Sequence, residues 1–250
     1  MDKLVNFRDF SEITSNSVVK IKPGKLFRSA NFDELSYEIE EYLVDRGVEN
    51  VIDLRTIEES EIKKYTLTHE GLTYISLPAA TLEKDVYDVF FTDKLDKHST
   101  SDEIRDAAYF VHGTYNKMPF NNDALRFVFE EMRDKGSSLL FHCSSGKDRT
   151  GIVTALILKM FGVEENIIFP DYLKSNESLV EGLNRYSWEM DYDEEQHDAL
   201  MWASKVHSHL LEETFETILE KYDNFECYFD EEYGVSEEDI SKIKETYLEN

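Results

Sequence analysis

A cysteine and an arginine six positions apart mark the segment of this 250-residue chain that is best suited to chemistry. It runs His142-Cys143-Ser144-Ser145-Gly146-Lys147-Asp148-Arg149-Thr150-Gly151, between a short apolar strand and a predicted helix. The N–H groups and the dipole at a helix N-terminus bind anions such as phosphate. The same positive potential favours the thiolate form of a cysteine, so Cys143 is a candidate nucleophile.

The other residue types in this segment also suit a phosphate ligand. Arg149 can hold two phosphate oxygens with its planar guanidinium, and Gly146 lets the backbone approach the ligand closely. Thr150 can donate its hydroxyl towards the Cys143 sulfur and stabilise the thiolate when it leaves. The predicted phosphate-binding residues of the loop are Ser144, Ser145, Gly146, Lys147, Asp148, Arg149 and Thr150.

The loop and four other segments resemble a known family. His-Cys-x-x-Gly-Lys-Asp-Arg-Thr-Gly is similar to the loop of bacterial tyrosine and lipid phosphatases in the protein-tyrosine-phosphatase superfamily. The other segments occur in the same order as in that group, at residues 6–9, 27–30, 51–55 and 171–176. One departure is that residues 6–9 continue into Phe10-Ser11, where relatives carry Leu-Gly-Gly. The resemblance implies that Cys143 attacks phosphorus and that water later hydrolyses the phosphocysteine.

Such a reaction needs a general acid to protonate the leaving oxygen. The resemblance points to Asp148, inside the loop. Asp53 is a second candidate, because it ends a predicted strand where sites of open α/β sheets collect. Alternatively, Asp53 forms a structural ion pair with Arg28 or Arg55, which are themselves candidate phosphate ligands. Three weaker acid candidates follow along the chain: Asp85, Asp88 and Asp93. The tripeptide at 169–171 is read as a helix boundary.

The substrate is less well defined by the sequence. Lys147 resembles the second cation of phosphoinositide-active loops, and an exposed lysine without a role is the alternative. The formal net charge of −26 argues against nucleic acid and against stable membrane anchoring. Phosphotyrosine peptides are the first expectation, with phosphoinositides or small phosphomonoesters as further substrates. A non-catalytic phosphate-binding module and a rhodanese-like sulfurtransferase are the alternatives, although Arg149-Thr150-Gly151 fits the latter poorly.

The segments that must position the loop predict an α/β fold with a central, mostly parallel sheet flanked by helices. This arrangement is like that of the protein-tyrosine phosphatases. Residues 1–250 are expected to form one domain, with extra helices at about 80–120 as a lid and an acidic helical part at 181–250. Predicted strands cover residues 26–29, 48–54, 72–77 and 139–141. Predicted helices begin at Asn31 or Asp33 and further on cover about 122–132, 149–161, 164–182, 195–220 and 236–248.

The cysteines, the histidines and the apolar segments of the sequence bear on the compartment and on cofactors. Cys143 and Cys227 are too few for a secreted disulfide framework, and Cys227 is read as structural, with a resolving thiol as the alternative. The histidines at 197, 207 and 209 lack a spacing that suits metal, so we expect no metal or other cofactor. Since no signal peptide or transmembrane segment is recognisable, we expect a cytoplasmic protein, with export by another route left open.

Overall fold

A five-stranded mixed sheet lies at the centre of the fold. The computed structural model describes residues 4–32, 36–62, 64–80, 99–178 and 192–249. The strands are β1 (Arg8–Asp9), β2 (Leu26–Ser29), β3 (Asn50–Asp53), β4 (Thr73–Ser76) and β5 (Leu139–His142). Their order is β1-β2-β5-β3-β4, and β1 pairs antiparallel with β2 while the other three pairs are parallel. The mostly parallel α/β sheet that the sequence predicts is therefore confirmed.

Strand β5 is the central strand because it can be buried on both faces. Every residue from Leu139 to His142 is fully buried, as expected of an apolar run in a parallel sheet. In the register, His142 lies between Ser29 of β2 and Asp53 of β3. The carboxyl ends of these three strands therefore meet at one edge of the sheet, where the loop after His142 begins.

Helices flank this sheet. They are α1 (Phe10–Ile13), α2 (Tyr37–Asp45), α3 (Ile57–Ile62), α4 (Ser101–Tyr115), α5 (Asp123–Asp134), α6 (Asp148–Phe161), α7 (Glu165–Lys174), α8 (Glu194–Ala203), α9 (Ser208–Lys221), α10 (Phe225–Tyr233) and α11 (Glu237–Tyr247). Helix α6 is apolar around its whole circumference between Ile152 and Leu158, so it is buried in the core. It ends at Gly162, which adopts the left-handed conformation, as predicted. None of the helices in the described ranges is long and apolar enough to cross a membrane.

Several predicted boundaries were wrong. The helix expected from Asn31 begins at Tyr37, and the Asn31 N–H instead donates to the Ser144 carbonyl (3.0 Å); Asp33 lies outside the described residues. Pro170 lies inside α7, not at a boundary. Its side chain is exposed, so water can satisfy the carbonyl that the proline ring leaves without a donor. The predicted helix over 195–220 is two helices, α8 and α9.

The segment predicted as a helical lid is described only in part, since residues 81–98, with the acid candidates Asp85, Asp88 and Asp93, lie outside the described ranges. Its helix α4 begins with a capping box, in which Thr100 and Glu103 satisfy each other's backbone N–H groups. Helix α4 packs against α8 through small and apolar side chains at Ile104, Ala108, Ala199 and Ala203. These two helices form one layer beside the loop.

Candidate active site

The loop between β5 and α6 requires a glycine at its tightest point. Gly146 has a φ of +66°, in the left-handed region. A Cβ atom added there would lie 2.2 Å from the Ser29 carbonyl oxygen at the end of β2. The loop therefore turns directly against the neighbouring strand, and no larger side chain fits at this position.

Cys143 is the first residue after β5 and is 1% exposed. The preceding His142 places Nδ1 3.2 Å from the Cys143 carbonyl oxygen, and its ring packs against Phe32 and Tyr65. Burial lowers the pKa of His142, and nearby Asp53 only partly opposes this. A neutral His142 that contacts the Cys143 carbonyl is suited to orienting the loop backbone. Cys227, the other cysteine, is also a free thiol and lies on α10.

Arg149 forms a two-pronged ion pair with a carboxylate that the sequence did not single out. Its Nη1 and Nη2 donate to Glu59 at 2.5 and 2.9 Å, and Ser144 donates its hydroxyl to the same carboxylate at 2.5 Å. Burial would raise the pKa of Glu59, but the hydrogen bonds and charge of Arg149 lower it to about 2. Arg149 Nε is buried and has no hydrogen-bond partner in the described ranges. Glu59 thus holds the Arg149 guanidinium through Nη1 and Nη2, and the Nε–H remains free to donate.

A local signal for Glu59 existed in the sequence. Glu59 and Thr56 form a capping box at the start of α3, in which the Thr56 N–H donates to Glu59 (2.8 Å) and the Glu59 N–H donates to the Thr56 hydroxyl (3.2 Å). The spacing Thr56-x-x-Glu59 after β3 indicates such a cap. Its second task, to hold Arg149 across 90 residues of chain, depends on the tertiary fold and has no local signal.

Asp148 is the first residue of α6 and occupies the position expected of a proton donor at the loop. Its side chain is 14% exposed, and Oδ2 lies 3.6 Å from Lys147 Nζ. Oδ1 is buried without a hydrogen-bond partner in the described part of the chain. One carboxylate oxygen is therefore available to hold a proton and to meet a leaving group.

Asp53 does not have the properties of a general acid. It accepts hydrogen bonds from the backbone N–H of Arg55 (3.0 Å), from the Arg55 guanidinium (2.7 Å) and from the Tyr74 hydroxyl. Burial would raise the pKa of Asp53, but these hydrogen bonds and charges lower it. These contacts match the structural ion pair with Arg55 that was the alternative to a catalytic role for Asp53. The Arg55 guanidinium is correspondingly directed to Asp53 and stacks on Tyr65.

Arg28 was also expected to bind phosphate, and its position differs. Its side chain is fully buried behind the loop. Nη1 donates to Asp171 (2.6 Å), and Nη2 donates to the Gly146 carbonyl (2.7 Å) and to the Ser175 hydroxyl (3.1 Å). Arg28 therefore contacts the loop on the side of the Gly146 carbonyl.

The remaining loop residues have mixed positions. Lys147 is 9% exposed, and its ammonium donates to the Ser204 carbonyl at the end of α8, so it is not a free surface lysine. The Thr150 hydroxyl is buried and has no hydrogen-bond partner in the described ranges, so the expected hydrogen bond to the Cys143 sulfur is not formed in this structure. Ser145 is half-buried, and its carbonyl lies 3.4 Å from Asn6 Nδ2.

Tyr115, at the end of α4, is a further residue near the site that the sequence did not indicate. It is 9% exposed and belongs to the same buried cluster as Cys143. Burial raises the pKa of Tyr115, and the positive charge of Arg149 only partly opposes this. The hydroxyl therefore stays neutral, within electrostatic range of Cys143 and Arg149. Helix α4 thus contributes a neutral hydroxyl to the surroundings of the loop.

Comparison with known proteins gives consistent matches. The sequence model described as "Tyrosine phosphatase family" matches residues 1–249. The chain is 30% identical over 190 residues to the triple specificity protein phosphatase PtpB of Mycobacterium tuberculosis (strain ATCC 25618 / H37Rv), which covers 70% of this chain and 67% of that protein. It is 29% identical over 176 residues to the putative tyrosine-protein phosphatase H16_A0669 of Cupriavidus necator, covering 70% of this chain and 62% of that protein.

A third match is to a tyrosine-protein phosphatase of Nostoc commune, 26% identical over 148 residues. This alignment covers 58% of the chain and 46% of that protein. The chain thus aligns with about two thirds or less of the length of these relatives.

Proposed function

Because the chain belongs to the tyrosine phosphatase family, we propose that it hydrolyses phosphate monoesters through a phosphocysteine on Cys143. The observation that carries this proposal is the joint position of Cys143 and Arg149 in one buried loop at the start of α6. The helix N-terminus and the Arg149 guanidinium both favour a phosphate dianion directly in front of the sulfur.

The first step is an in-line attack of the Cys143 thiolate on phosphorus. Charge develops on the equatorial phosphate oxygens, where preorganised donors lower the barrier most. Glu59 holds two of the Arg149 nitrogens, which fixes the guanidinium plane before the substrate arrives. The free Nε–H of Arg149 and the loop N–H groups then donate hydrogen bonds to the phosphate oxygens.

Asp148 is the proposed general acid. It protonates the leaving oxygen in the first step, and the resulting carboxylate accepts a proton from the attacking water in the second. The buried Oδ1 supports this role, since no other group in the described part of the chain forms a hydrogen bond with it. The contacts of Asp53 with Arg55 and Tyr74 favour Asp148 over Asp53 for this role.

The proposed substrates are phosphotyrosine peptides first and phosphoinositides second. The name of the mycobacterial relative attributes triple specificity to that protein, which supports a site that accepts more than one phosphate ester. In this chain, the Lys147 ammonium already donates one of its three N–H groups to the Ser204 carbonyl, which restrains its reach towards a second phosphate. The net charge of −26 also opposes binding to an anionic membrane surface, so a soluble phosphoinositide headgroup is the better candidate.

The test is turnover of p-nitrophenyl phosphate, phosphotyrosine peptides and soluble phosphoinositides in the presence of a chelator. We expect activity that Cys143→Ser removes and that the matched variant Cys227→Ser retains. Undiminished hydrolysis by Cys143→Ser would overturn the mechanism. Tight phosphopeptide binding by the wild type without turnover would favour the non-catalytic binding module.

A further inference from the structure

One carbonyl of the catalytic loop receives two hydrogen bonds from behind. The Gly146 oxygen accepts from Arg28 Nη2 at 2.7 Å and from Asn6 Nδ2 at 2.8 Å. Asn6 adopts a positive φ of 58°, an uncommon conformation that asparagine tolerates well. The chain before β1 is therefore bent so that the Asn6 amide reaches the loop.

The Arg28 side chain is itself aligned by a buried network. Asp171 on α7 accepts from Arg28 Nη1 (2.6 Å) and from Arg8 Nε (2.7 Å), one arginine on each carboxylate oxygen. Ser175 accepts from both arginines, at 3.1 and 3.3 Å. Each of these side chains is less than 9% exposed. The network thus joins the N-terminal segment, strand β2 and helix α7 at the back of the loop.

Peptide geometry carries the effect of these contacts to the front. In a planar trans peptide the C=O and the following N–H point in opposite directions. Two donors that hold the Gly146 oxygen at the back must therefore turn the Lys147 N–H towards the phosphate side. The Asn31 N–H holds the Ser144 carbonyl (3.0 Å) in the same manner, which turns the Ser145 N–H forward.

We propose that Asn6 and Arg28 are positioning residues of the phosphatase reaction: they fix the peptide between Gly146 and Lys147 so that its N–H faces the phosphate. This inference rests on the proposed function of the loop. Asp171 supports it, because it holds the Arg28 guanidinium in the plane from which Nη2 reaches the Gly146 oxygen.

An arginine suits this position better than a neutral donor. Burial lowers the pKa of Arg28 to about 10, with the charge of Asp171 opposing the shift, so the side chain is cationic at neutral pH. A charged donor makes a stronger hydrogen bond to the Gly146 carbonyl. Arg8 and Arg28 share the single carboxylate of Asp171, so the network has a net positive charge behind the anion site.

The experiment compares Asn6→Gly, Arg28→Met and Arg28→Lys with the wild type. Glycine keeps the positive φ of position 6 accessible and removes the whole amide, including the Oδ1 that accepts from Arg8 Nη1. The matched control is Tyr228→Phe, because the Pro119 carbonyl also accepts two donors, Tyr228 and Tyr233 (both 2.7 Å), with no contact to the loop. The readouts are kcat and KM for p-nitrophenyl phosphate and the inhibition constant of vanadate, measured below the unfolding temperature of each variant.

We expect Asn6→Gly to weaken vanadate inhibition and to lower kcat/KM by about 10-fold, and Arg28→Met to do so by about 100-fold. Arg28→Lys should recover part of the Arg28→Met loss, since it restores a charged donor. Tyr228→Phe should lower thermal stability but leave vanadate inhibition within about twofold of wild type.

Folded Asn6→Gly protein with wild-type vanadate inhibition and kcat/KM would overturn the inference, and this variant decides the matter if Arg28→Met does not fold. An equal loss of vanadate affinity in Tyr228→Phe would also overturn it, because the effect would then follow stability alone. A wild-type protein that binds vanadate but has no turnover would contradict the proposed function instead.

Discussion

The two sides of the loop between β5 and α6 are built differently. The front is the side that Asp148, Arg149 and Thr150 line, and the back is the side of the Gly146 carbonyl. On the front, three consecutive residues each keep a buried polar atom without a partner in the described ranges: Asp148 Oδ1, Arg149 Nε and Thr150 Oγ1. On the back, the Gly146 carbonyl is held by two donors, and both oxygens of Asp171 are taken by arginines. Arg28 Nε, Ser29 Oγ and His142 Nε2 also lack a partner among the residues described.

This difference favours the front as the side on which a substrate would bind. A buried polar atom without a hydrogen bond costs about 1–3 kcal/mol, so a run of three calls for an explanation. A phosphate ester that binds in front of Cys143 would bring acceptors and a leaving oxygen to these atoms. The back, by contrast, is largely complete without a ligand and keeps the loop in its binding conformation.

The largest effect is expected from a substitution at Gly146, where the back of the loop is most tightly packed. In Gly146→Ala, the new Cβ would lie 2.2 Å from the Ser29 oxygen, so the loop must move. We expect kcat/KM to fall by about 1,000-fold, as when oxyanion donors are misplaced. Gly162→Ala is the control, since Gly162 also has a positive φ (81°) but no atom near its Cβ position. Equal activity of the two variants would show that the close contact at Gly146 does not matter.

The front is tested next through Asp148, with the ion-paired Asp53 as the comparison. Asp148→Asn should lower kcat by about 100-fold for phenyl phosphate, a poor leaving group, and far less for aryl phosphates with acidic phenols. Asp53→Asn should show no such dependence on the leaving group. Instead it should destabilise the fold by about 3 kcal/mol, because Arg55 loses its buried carboxylate. Leaving-group dependence in Asp53→Asn would reverse the assignment.

Glu59 connects the front to α3 and should give the protein a measurable acid sensitivity. Its pKa falls from the ordinary 4.5 to about 2 on folding, so its contribution is present above pH 4.5 and is lost as pH drops towards 2. The free energy of unfolding of Glu59→Gln should therefore decline less steeply than that of the wild type over this window. Denaturant titrations at several pH values measure the slope, and parallel curves would refute the ion pair. The kcat/KM of Glu59→Gln should also fall by about 10-fold relative to the wild type.

The smallest effect is expected from the Lys147 side chain. Because its ammonium is occupied by the Ser204 carbonyl, Lys147→Met should change kcat/KM for p-nitrophenyl phosphate by less than about threefold. A loss of about 10-fold specific to a soluble phosphoinositide with several phosphates would show that Lys147 exchanges partners. Lys117→Met, on an exposed lysine, is the control. An equal loss for both substrates would show that Lys147 contributes to the hydrolysis step that the two substrates share.

The sequence predicted the loop and the sheet because both leave local signals. An apolar strand, a glycine that permits a tight turn and a helix start lie within one short stretch around Cys143. Partners across the fold leave no such signal: Glu59 and Tyr115 reach the site only through tertiary packing. Arg28 was a candidate phosphate ligand, and Asp53 was a candidate acid at the edge of the sheet or, alternatively, an ion-pair partner of Arg28 or Arg55. Residue type does not show which way a side chain points, and both point to buried ion-pair partners.

The most direct test of the mechanism is to trap the covalent intermediate. The wild type and Asp148→Asn would be mixed with a phosphotyrosine peptide, quenched within milliseconds and examined by peptide mass spectrometry. The mechanism predicts a phosphoryl group on the peptide that carries Cys143, and none when Cys143→Ser is treated in the same way. Efficient turnover with no phosphoryl group on Cys143 at any quench time would contradict it.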